Sequence, residues 1–103
     1  MSSRDKHWID LKAATELTDR WREKNPKAPK AMGFDRSAMD RILKQDRCAG
    51  IRSYFAMHAD GTWTLVLVGV DADGHDLANG ELAEEMRPCP PYCDPQSALG
   101  GGK

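Results

Sequence analysis

The stretch CAGIRSYFAMHADGTWTLVLVGVDADGHD, Cys48–Asp76, holds the densest apolar sequence in the chain and decides the fold. It reads as a β-hairpin. Ala59-Asp60-Gly61 separates two β-prone runs, and a three-residue loop with glycine third suits a type I turn followed by a left-handed residue. That loop pairs His58 with Thr62, Met57 with Trp63, Phe55 with Leu65, Ser53 with Leu67 and Ile51 with Gly69. One face then carries Ile51, Phe55, Met57, Trp63, Leu65 and Leu67. The other carries Arg52, Tyr54, Ala56, His58, Thr62, Thr64, Val66, Val68 and Val70. A two-residue loop, Asp60-Gly61, would pair Phe55 with Val66 and mix polar with apolar groups. The buried face selects the register, so the three-residue loop is preferred.

The second face is too apolar to be fully wet. A run such as Leu65-Val66-Leu67-Val68 is usual for a strand covered on both sides. Helices are expected on the first face, so the second needs another cover: the C-terminal segment, a third strand or a second subunit. Tyr54, Val66, Val68 and Val70 are therefore the expected interface, toward a protein partner or in a homo-oligomer.

Two helices are expected before the hairpin. Asp10 can cap a helix beginning at Leu11. Leu11, Ala14, Leu17, Thr18 and Trp21 recur at three- and four-residue spacing, with Trp21 read as a core anchor. Pro26 ends this helix. Asn25–Met32 is a proline-containing connector without regular structure. Arg20, Arg22, Lys24, Lys27 and Lys30 gather around it, but Asp19 and Glu23 interrupt the cluster, which argues against nucleic acid. Asp35 or Ser37 caps a second short helix bearing Ala38, Met39, Ile42 and Leu43. After the hairpin, Asp71–Asp76 reads as a polar turn. An EF-hand counted from Asp71 fails at positions 5, 6 and 12, which are His75, Asp76 and Leu82. Glu81–Arg87 reads as a helical turn or, better, a short third strand.

Cys89 and Cys93 lie in a tail stiffened by Pro88, Pro90, Pro91 and Pro95, which leaves no helix or ladder for it to join. Cys89, Cys93 and Cys48, with His75 or His58 as a fourth ligand, make a zinc-type donor set. The same cysteines can instead form a redox-active disulfide, Cys89–Cys93 or Cys48 with either. They can also remain packed thiols without chemistry. No spacing singles out a catalytic residue, and the chain reads as a non-enzyme.

The 103 residues carry a net charge of −1, which excludes a strongly basic nucleic-acid binder. The halves differ, with twelve basic against eight acidic residues up to position 47 and three against eight beyond it. No apolar run reaches the ~20 residues of a membrane helix. The first residues lack the apolar stretch of a secretory signal, so the expectation is a soluble, cytoplasmic protein. The expected class is α+β: two N-terminal helices on an antiparallel hairpin, with a third strand and an extended Pro/Cys-rich tail. Residues 1–9 are read as a flexible N-terminus, 10–94 as one domain and 95–103 as a disordered tail.

Gly50-Ile51-Arg52 with Tyr54, Leu65–Asp71, Asp76 and Pro88–Cys93 together resemble a set of small uncharacterised bacterial proteins. The resemblance runs from about Leu11 to Cys93. It implies a bacterial protein of this architecture and assigns no activity, but it marks the cysteine tail as a recurring part.

Overall fold

The computed structural model describes residues 7–102. The class is α+β, with two helices, a three-stranded antiparallel sheet and a two-stranded one. The chain divides into two compact units. Of the described residues, the first unit is Phe34–Met86 and the second is 7–33 with 87–102.

The first unit holds helix α2 (Arg36–Leu43) and strands β2 (Gly50–Met57), β3 (Trp63–Val70) and β4 (Leu82–Ala83), in sheet order β2-β3-β4. The hairpin has the register that the buried face selects, with Met57 opposite Trp63, Phe55 opposite Leu65 and Ile51 opposite Gly69. The loop closes it through His58 N–H to Thr62 O at 2.9 Å and Gly61 N–H to His58 O at 2.9 Å. Gly61 has φ +90°, the left-handed conformation that this loop requires. Asp60 Oδ1 accepts from the Thr62 N–H and hydroxyl, at 3.0 and 2.7 Å. The expected third strand is β4, pairing Val68 with Leu82 and Leu67 with Ala83.

Cover falls off from base to turn along the first face, which corrects the expectation that helices cover that whole face. On the second face Thr64, near the turn, is 4% exposed. At the base, Leu67, Val68 and Val70 are 2%, 3% and 1% exposed, so both faces of β3 are buried there. Toward the turn, Phe55 is 95% exposed, and Met57 and Trp63 are exposed as well. The cause is length. An eight-residue α2 is at most about 12 Å long. An eight-residue β2 spans about 26 Å. Helix α2 packs on β2 and β3 and buries Ile42, but it cannot cover their full extent.

The second unit holds α1 (Leu11–Lys24), β1 (Ala31–Gly33), β5 (Arg87–Cys89) and a 3-10 helix (Ala98–Gly100). Asp10 caps α1 as expected, its Oδ1 accepting from Ala13 N–H at 2.8 Å. Trp21 is no core anchor. It is partly exposed, and its Nε1–H donates to Pro29 O at 3.0 Å, which fastens the loop after α1.

The proline segments do join a ladder, contrary to expectation. Strands β1 and β5 pair antiparallel, with Ala31 opposite Cys89, Met32 opposite Pro88 and Gly33 opposite Arg87. In a two-stranded ribbon both strands are edges, where a residue without an N–H is tolerated. Residues 95–102, read as tail, carry the 3-10 helix, capped by Ser97 Oγ and packed on α1. Arg22 donates to Leu99 O at 2.5 Å and Lys30 to Gly100 O at 3.3 Å, so two cations of the basic cluster serve the chain's own carbonyls. Residues 1–6 and 103, part of the expected flexible termini, lie outside the described residues.

Candidate functional site

Three groupings bear on function. The first is the hairpin's second face. Val68 and Val70 are buried, Val66 is half-buried and Tyr54 is exposed. The Tyr54 hydroxyl donates to Asp76 Oδ2, and Arg52 Nη1 meets Asp76 Oδ1 at 2.5 Å. Thr64 Oγ1 donates to Glu84 Oε2 at 2.8 Å, and His58 Nε2 lies 3.2 Å from the same oxygen. Polar pairs within the chain thus cross this face, and of its valines Val68 and Val70 are buried.

The second grouping is the turn after β3. Asp71 is buried, and its Oδ1 accepts from the Asp73 and His75 N–H groups at 3.0 and 2.9 Å. Its Oδ2 lies 3.6 Å from Arg47 and 3.7 Å from His75. Ligand atoms of Asp71, Asp73 and His75 come within 4.8 Å of one another. Because the Asp71 oxygens already hold the turn, the arrangement explains itself as an Asx-type turn.

The carboxyl of Asp71 is held below its ordinary value chiefly by the His75 N–H bond, then by that of Asp73. Asp76 is lowered by the Tyr54 hydroxyl and then Arg52. Asp60 is lowered by the Thr62 N–H and then its hydroxyl. A carboxyl lowered on folding stabilises the native state above its unfolded value, and that contribution is lost as pH falls through the folded one. Thermal stability is accordingly expected to hold from neutrality to about pH 4 and to fall steadily below it. Melting temperatures across that window check this, and Asp76→Asn should flatten the acid limb. An unchanged slope in that variant would remove Asp76 from the account.

The third grouping is the cysteines. Cys89 and Cys93 form a disulfide in the second unit. Cys48 lies in the first unit as a free thiol, its Sγ donating to Gly50 O at 3.2 Å. In this oxidised form neither Cys89 nor Cys93 is a thiolate, so neither can ligate zinc. His75 lies in the first unit, with Nδ1 3.7 Å from Asp71 Oδ2. Cys89 ends β5 and is 7% exposed, whereas Cys93 lies in the exposed loop beyond it. The two positions are four apart, a five-residue loop. Closing so small a loop removes only about 2 kcal/mol of chain entropy from the unfolded state, near the low end for a disulfide.

The sequence reading missed the surface at the hairpin tip. Strand β2 is an edge of its sheet. His58 N–H bonds inward to Thr62, so ladder alternation turns the even residues of β2 toward β3. The backbone N–H and C=O of Ser53, Phe55 and Met57 then point outward. The exposed side chains of Phe55, Met57 and Trp63 lie beside this edge on the first face. The available signal was the mismatch between a short second helix and a long hairpin.

No protein-family model, curated protein or solved structure matches the chain. Among the described residues, no helix is long and apolar enough to cross a membrane.

Proposed function

We propose that this protein is a small assembly module that pairs with a second copy of itself along the free edge of β2. The observation that carries this reading is an eight-residue edge strand whose outer end bears Phe55, the most exposed large apolar side chain among the described residues. Native sheets normally blunt such edges with Lys, Pro, bulges or a covering element. Ser53–Met57 has none of the first two, and its only nearby charge, Arg52, is matched by Asp76. An antiparallel edge is self-complementary about a two-fold axis, so one patch serves both partners. The opposite edge, β4, is only two residues long, so assembly would stop at the dimer. Phe55 and Met57 of each copy would then be covered in a continuous six-stranded sheet.

Light scattering and sedimentation over a wide concentration range test the proposal, with a dimer as the expected species. Ser53→Pro removes an outward N–H and leaves the β3 ladder intact. Phe55→Lys places a charge at the patch. Each should weaken the dimer by at least about ten-fold while circular dichroism stays unchanged. A monomer at every concentration sinks the reading, as does a dimer indifferent to both substitutions.

A further inference from the structure

We infer that Cys89–Cys93 is a thiol–disulfide exchange site, with Cys93 the sulfur attacked and Cys89 the sulfur released. Exchange proceeds by in-line attack of a thiolate on one sulfur of the bond, so access to that sulfur decides which bond forms. The two cysteine residues differ sharply in exposure. Cys89 is buried at the end of β5, opposite Ala31, and its carbonyl accepts the Lys30 N–H at 2.6 Å. Cys93 is exposed, next to the exposed ring of Tyr92. One end of the disulfide is thus anchored in a ladder and the other presented to solvent.

A purely structural role accounts poorly for this placement. The bridge spans only five residues, so it constrains the unfolded chain little. Farther along, Leu99 O and Gly100 O already accept from Arg22 of α1 and from Lys30 just before β1. Between the cysteines, Pro90 and Pro91 each fix one backbone angle. The two thiols of the reduced form therefore stay close enough to close again.

The ligand class is a dithiol, on a small molecule or a protein. One of its thiolates attacks Cys93 Sγ and forms a mixed disulfide. The electron pair of the broken Cys89–Cys93 bond leaves on Cys89 Sγ, which takes a proton from water. The second thiolate of the dithiol attacks its own sulfur in the mixed disulfide and releases Cys93, which is protonated in turn. Two electrons and two protons pass to the protein, and the dithiol becomes a disulfide. The reverse sequence oxidises a partner dithiol.

Dithiothreitol is the probe, applied to the full chain carrying Cys48→Ser and followed by alkylation and intact mass. The expected result is two alkylated thiols within minutes, without denaturant and without loss of circular dichroism. Thiols that appear only after denaturant is added overturn the proposal. Cys89→Ser and Cys93→Ser in the same background separate the two sulfurs. Glutathione disulfide should modify Cys93 at least ten-fold faster than Cys89. Equal rates, or the opposite order, overturn the assignment. If either variant fails to fold, glutathione attack on the intact disulfide, trapped by alkylation and located by peptide mass, decides instead: glutathione on Cys93 is expected, and glutathione on Cys89 overturns the assignment.

Discussion

Leu67→Ala is expected to lower the stability of the hairpin unit by about 3 kcal/mol, one of the largest effects of any substitution in this chain. Leu67 sits on the central strand, opposite Ser53 on one side and Ala83 on the other, and is 2% exposed. Truncation removes three buried carbons and leaves a cavity that two flanking strands hold open. Transfer and cavity costs therefore add. The pair to set beside it is Phe55→Ala, measured at low concentration so that self-association does not enter. Phe55 is a larger side chain on the same face, two residues from the position opposite Leu67. Because it is exposed, its truncation should cost less than about 0.5 kcal/mol. Urea titrations of both variants check this. Comparable losses would mean that the face is covered evenly along its length, against the graded cover seen here.

That gradient marks where sequence reasoning reached its limit. The hairpin register was legible because two local signals agreed: a glycine at the left-handed position of the loop and an alternation that survives only one pairing. The Asp10 cap and the short β4 were legible for the same reason, since each rests on a few consecutive residues. Which part of the hairpin is covered is not a local property. It depends on the length of α2 against that of β2, and an alternation argument that assigns whole faces does not weigh lengths. Of the residues expected at an interface, Val68 and Val70 are buried, Val66 is half-buried and Tyr54 is exposed, while the hairpin's most exposed apolar side chain, Phe55, lies toward the tip.

The pairing of Ala31–Gly33 with Arg87–Cys89 was hidden differently. Both segments are short and sit beside prolines, and no periodicity shows in three residues. The chemistry of the tail was half legible. Cys89–Cys93 stood among the available pairings, but only the fold distinguishes the buried cysteine from the exposed one.

Gly69→Ala is expected to destabilise the hairpin unit by about 2–3 kcal/mol, although it adds one methyl group. Strand β3 reads as continuous β-branched and leucine sequence around this glycine, and the structure shows why no side chain fits. A Cβ at position 69 would lie 2.9 Å from Cys48 Sγ, 3.0 Å from Gln45 Nε2 and 3.3 Å from Leu77 Cδ1. Carbon contacts of ordinary energy lie at about 3.5–4.0 Å, so all three neighbours must move. Gln45 cannot move freely. Its Nε2 donates to Ile42 O at 2.8 Å and its Oε1 accepts Glu81 N–H at 2.8 Å, which ties the end of α2 to the start of β4. Leu77 is held too, its N–H donating to Gly69 O at 2.8 Å. The added methyl thus trades overpacking against a lost hydrogen bond, worth about 1 kcal/mol in itself. A double-mutant cycle with Cys48→Ala isolates the sulfur's share: removing Sγ opens one of the three contacts, so the methyl should cost about half as much in that background. Gly33→Ala is the control, because a Cβ there meets nothing closer than 3.6 Å. If Gly69→Ala unfolds at the wild-type denaturant midpoint, the close approach of Cys48 and Gln45 to the strand does not exist in solution, and the seating of α2 on β3 must be redrawn.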